Sequence, residues 1–175
     1  MLMYFSEALL QELLDYYLPR FRLAEERGFS APDSKYIWLY EELRLRISVL
    51  RQAQLFIESL PKFMEGADHD KPMQYAVSYT SAIFAPEQLG TADLEPFFND
   101  ANPYWLDFQE ASDHFTADYD FSDLPLYYVD LCEYIVRTVR LYLQIRETAI
   151  HAIDKGRFAE LMHASPPVKN AGRSA

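Results

Sequence analysis

Apolar residues along this chain recur at helical spacing. Leu9, Leu10, Leu13, Leu14, Tyr17 and Leu18 form one stripe, and the spacing predicts a first helix over about 6–27. Ser6 is placed as its N-cap, Pro19 as a kink or break, and Gly28 as its end. A second stripe of Tyr36, Tyr40, Leu43, Ile47, Leu50 and Ile57 predicts a helix from a cap at Asp33 or Ser34 to Pro61. Some 27 residues of helix span roughly 40 Å. Arg44, Arg46 and Arg51 lace it, and Glu42 precedes Arg46 by four positions, the favourable order for an intrahelical pair.

Residues 64–71 read as a polar loop, with Pro72 at a helix N1 position. Residues 73–85 alternate apolar and small polar residues, a strand-like feature, yet are bounded like a short helix. Helix is preferred because no second strand exists to pair with them. Residues 86–102 read as irregular, and Asn102-Pro103 as a helix start. Tyr104, Phe108, Ala111, Phe115 and Tyr119 then share one helical face, with Asp107, Glu110, Asp113 and Asp118 broadly opposite. Pro125 opens a last helix of about 125–155, apolar on most sides, as expected of the central helix of a bundle. Gly156 is expected to end it, with a short turn at 157–164 before Pro166-Pro167.

The resulting expectation is an all-α fold. It is a bundle of four or five main helices, with an irregular segment at about 86–102 and a disordered C-terminal tail. The domain is expected to cover 1–164 and the tail 165–175. The predicted spine pairs helices 33–60 and 125–155, with the first helix and helix 103–118 packed against them. The length of 175 residues is enough for one sizeable core. Cys132 is the sole cysteine, so neither an internal disulfide nor a cysteine-based zinc cluster can form within one chain. It sits on the apolar last helix and reads as a small core residue. The first ten residues lack a basic region and carry Glu7, so no secretory signal is expected. The charge-free stretch from Pro72 to Pro86 is too short and polar to span a membrane. A cytoplasmic protein is expected.

Charge changes the picture most. The formal net charge is −11. Residues 63–136 hold one base, Lys71, against fifteen acids, a net of −14, while the remainder has 15 bases against 12 acids, or +3. From Pro72 to Val136 there is no Lys or Arg. Such a field opposes direct nucleic-acid binding and favours a basic partner. The segment 93–130 therefore reads as a binding face, with Asp107, Glu110, Asp113, Asp118, Asp120 and Asp123 as steering and pairing groups. Trp105 and Tyr119 are its candidate anchors. The plainer alternative is a solvated helix face over a buried aromatic side. The expected function is non-enzymatic: an immunity protein, antitoxin or anti-defence inhibitor that masks a basic protein. A cytoplasmic secretion or assembly chaperone is the alternative of similar composition, and a homodimer is left open.

A different class comes from Arg146-Glu-Thr-Ala-Ile-His151. This Arg-x4-His spacing resembles the catalytic motif of the HEPN superfamily of metal-independent ribonucleases. The resemblance covers six residues and implies His151 as acid/base and Arg146 as phosphate holder. That family commonly has a small polar residue after the Arg, where this chain has Glu147. The structural alternative is that both cations simply occupy the C-terminal half of a helix. Glu160-x-x-His163 has the spacing of half a di-iron site, but the second half is missing. The stretch from Asp118 opens like a calcium loop and fails at its sixth and twelfth positions, Asp123 and Val129. No cofactor or metal is expected. His69 and His114 read as surface residues, while Tyr16-Tyr17 and Tyr127-Tyr128 read as core edges.

Overall fold

The computed structural model describes residues 2–30, 33–64, 70–83, 106–107, 110 and 124–163. They form an all-α bundle with no strand among the described residues. The helices are α1 (Leu2–Phe29), α2 (Ser34–Met64), α3 (Asp70–Ile83) and α4 (Leu124–His163). Leu106, Asp107 and Glu110 are helical too, and all three are exposed. The rest of the expected helix 103–118, the segment 86–102 and the tail lie outside the described residues, as do His69 and His114.

Four expectations about α1 and α4 need correction. Ser6 does not cap α1; it lies inside the helix, buried, one turn after the start at Leu2. Pro19 does not split α1, which runs unbroken to Phe29. Leu10, Leu14, Tyr17, Leu23 and Ala24 are buried on both sides of the proline, and that continuous packing holds the helix together across it. Gly28 precedes the last helical residue; a Cβ there would meet Ile37 Cγ1 at 3.2 Å. The glycine thus lets the start of α2 pass close to the end of α1.

Gly156 does not end α4, which continues to His163. The apolar stripe resumes beyond it with buried Phe158, Leu161 and Met162. Phe158 packs edge-on against Trp38 of α2, with ring centroids 5.8 Å apart. Arg20 Nε of α1 donates to the Met162 carbonyl at 2.8 Å, satisfying one of the acceptors that a helix end leaves without an intrahelical donor. Tertiary contacts therefore extend the helix through a residue that local propensity marks as a stop.

The start of α2 is as expected. Asp33 accepts from Lys35 N at 3.2 Å through Oδ1, and its carbonyl accepts from Tyr36 N and Ile37 N. The helix runs through Pro61 in its final turn to Met64. The ambiguous 73–85 stretch is helical, within α3, which starts at Asp70 and brings Pro72 inside its first turn. Tyr79 Oη donates to the Val49 carbonyl at 2.5 Å and so ties α3 to α2.

Among the described residues the most extensive packing is between α1 and α2, which follow each other in the chain. The α4 helix contacts each of the other three. One core runs through the bundle, from Leu14 and Tyr17 through Leu43, Leu50 and Ile57 to Leu131, Ile135, Val139 and Ile145. Cys132 is buried in it as expected. Tyr17, Tyr127 and Tyr128 are buried, whereas Tyr16 is exposed.

Candidate functional site

The bundle interior holds an ionic cluster at the junction of α1, α2 and α4. Arg46 and Arg146 are among the largest fully buried side chains in the described structure, at 0% and 1% exposure. Between them lies Glu42, also buried. Glu42 and Arg46 stand four apart on α2, so the helix itself aligns them. Arg146 comes from α4, 104 residues later.

The two arginines share the carboxylate unequally. Arg146 grips both oxygens: Nε donates to Oε1 at 2.8 Å and Nη2 to Oε2 at 2.5 Å. Its Nη1 donates to Tyr142 Oη at 3.2 Å. Arg46 has only part of one oxygen, with Nε donating to Oε1 at 2.9 Å. Its Nη1 donates to Tyr17 Oη at 3.2 Å and lies 3.8 Å from a Glu147 carboxylate oxygen. Its Nη2 has no hydrogen-bond partner among the described residues. Ring faces help to hold this cation, with Cζ 5.5 Å from the Tyr17 centroid and 5.3 Å from that of Phe158.

The electrostatics follow from this geometry. Burial pushes the Glu42 carboxyl up, but the guanidiniums of Arg146 and Arg46 outweigh it and hold the group below its usual range. Burial also works against the charge on Arg46, and Glu42, Tyr17 and Glu147 more than offset it. The Tyr17 phenol is raised by burial, with Arg46 pulling the other way. Burial likewise raises the Tyr142 phenol, despite Arg146.

A groove of about 550 Å³ lies beside the cluster between α1 and α4. Leu13 and Tyr17 line one wall, and Arg140, Gln144, Glu147 and His151 line the other. His151 is half-buried, 4.0 Å from Glu147 and edge-on to Phe158 at 5.3 Å between centroids. The two residues of the Arg-x4-His motif therefore have different surroundings. His151 faces the groove, while each nitrogen of Arg146 is engaged within the fold. That engagement, rather than a place near the helix terminus, accounts for Arg146. The cluster's sequence trace is the Glu42–Arg46 spacing, which reads equally well as a surface pair.

Of the acidic residues singled out above, Asp107 and Glu110 are described, and both are exposed. Asp113, Asp118, Asp120, Asp123, Trp105 and Tyr119 lie outside the described residues. Glu160 and His163 are exposed in the last turn of α4. Among the described residues, no three His, Cys, Asp or Glu side chains gather as a metal site would require, and no helix is long and apolar enough to cross a membrane. Compared with family models, curated proteins and solved structures, the chain matches none of them.

Proposed function

We propose that the chain is a non-enzymatic binding protein that masks a basic protein partner, in the manner of an immunity protein, antitoxin or anti-defence inhibitor. One observation carries this reading: between Pro72 and Val136 there is no Lys or Arg, and aromatic residues are interleaved with the acids. Carboxylates concentrated in this way speed encounter with a positive cleft, and Tyr or Trp beside them supplies desolvated contact area. Asp107, Glu110, Asp113, Asp118, Asp120 and Asp123 are the pairing groups in this proposal, and Trp105 and Tyr119 the anchors. The exposure of Asp107 and Glu110 is consistent with it. So is the state of Arg146, whose guanidinium is engaged by Glu42 and Tyr142 rather than presented to a phosphate.

The test is affinity capture from native lysate with the wild-type chain and with D107K/E110K/D113K, washed at low and high salt. A basic protein held by the wild type at low salt and lost by the variant supports the proposal. Equal capture by both overturns it. RNA cleavage by purified protein that vanishes in H151A would replace it with the ribonuclease reading.

A further inference from the structure

Arg46 is in an unusual position for a buried cation. A guanidinium removed from water needs an anion and partners for its remaining donors. Glu42 gives both its oxygens to Arg146 and shares only one with Arg46. The second carboxylate near Arg46 is Glu147, at 3.8 Å, beyond good hydrogen-bond distance. Glu147 is half-exposed and has an alternative neighbour in His151, 4.0 Å away. It therefore stands at the edge of the groove as a loosely held carboxylate in front of a buried arginine. Arg46 itself is fully buried behind the groove's lining, and its Nη2 lacks a hydrogen-bond partner among the described residues.

The groove does not stop there. A second hollow of about 360 Å³ continues it along the α1–α4 seam and shares Arg140 and Gln144 with it. Its apolar surface comes from Leu9, Val136 and Leu141, as Leu13 and Leu143 supply that of the first. From His151 back to Glu133, the two together follow α4 for roughly 27 Å at the helical rise. Arg137 and Arg140 lie along the way, and Glu133 lies at the far end.

We propose that this seam binds a monocarboxylic acid with a medium-length apolar chain. The ligand's carboxylate replaces that of Glu147 before Arg46, beside the Tyr17 hydroxyl and within reach of Arg140. Glu147 turns to His151, and the hydrocarbon lies on Leu13, Leu143, Leu9 and Val136. A single negative charge suits the site because Glu42 and Glu147 are close by and would repel a dianion. An apolar body suits the seam, where Leu9, Leu13, Val136 and Leu143 offer aliphatic surface between the charged side chains that flank it.

The probe is decanoate, titrated calorimetrically below its micellar concentration into the full chain. Decanol serves as the head-group control and acetate as the tail control. Arg46 itself is too buried to be a clean test, so the variants are E147Q and R140Q. The proposal requires one-to-one binding of decanoate, at least about tenfold tighter than either control, as a charge-assisted hydrogen bond warrants. It also requires several-fold tighter binding in E147Q, where the competing charge is gone, and several-fold weaker binding in R140Q. No binding, equal affinity for decanol, or unchanged affinity in E147Q overturns it.

Discussion

Replacing Glu42 by Gln would leave two buried guanidiniums facing each other without their shared anion. Breaking a buried ion pair in this way costs about 3–5 kcal/mol, so E42Q should unfold at markedly lower denaturant. Exchanging all three charges for apolar groups of similar volume (E42L/R46M/R146M) should restore much of that loss, because no buried charge remains. A triple variant no more stable than E42Q would show that the charges contribute more than mutual compensation. The same cluster sets an acid limit. With its folded pKa depressed, Glu42 stabilises the fold above the ordinary carboxyl range, and this contribution disappears as pH falls through the depressed value. E42Q should therefore show a flatter decline in acid than the wild type. Cys132 behaves oppositely. Burial pushes its thiol up to about 12, so alkylation at mildly alkaline pH should require unfolding. The thiol contributes stability below its unfolded pKa, and that contribution is lost as pH rises towards 12.

Among the elements, α4 depends most on tertiary context. Gly156 lies inside it with nothing within 4 Å of a built Cβ. G156A should raise stability by about 0.5–1 kcal/mol, because Ala suits a helix interior better. Gly28 has Ile37 Cγ1 at 3.2 Å from the equivalent position, so G28A should gain less or lose stability as the α1–α2 contact shifts. Paired thermal melts of the two variants separate propensity from packing. This contrast also explains what sequence periodicity could foretell. Stripes such as Leu10–Leu14–Tyr17 and Leu43–Ile47–Leu50 identify helices because each helix buries one face. Ends were less legible, since Pro19, Gly28 and Gly156 are local signals that packing overrode. Arg46 and Arg146 were harder still. A charged residue on a helix reads as solvent-facing by default, and only the three-dimensional meeting of α2 and α4 places both inside around Glu42.

For the whole molecule, charge is divided by sequence region. The stretch 63–136 carries −14, and the remainder +3. The described bundle belongs mostly to that remainder, with Arg46 and Arg146 committed to Glu42 and Arg20 to the Tyr16 ring and the Met162 carbonyl. From Pro72 to Val136 that stretch holds no Lys or Arg, so a partner attracted there would meet no like charge from that span. The most direct measurement is the association rate of the purified chain with its captured basic partner, followed from low to high ionic strength. The account predicts a steep fall in rate as salt screens the field beyond a Debye length of about 10 Å at ~0.1 M, with D107K/E110K/D113K slower at low salt by about tenfold or more. A rate that is flat in salt and indifferent to these reversals would contradict it.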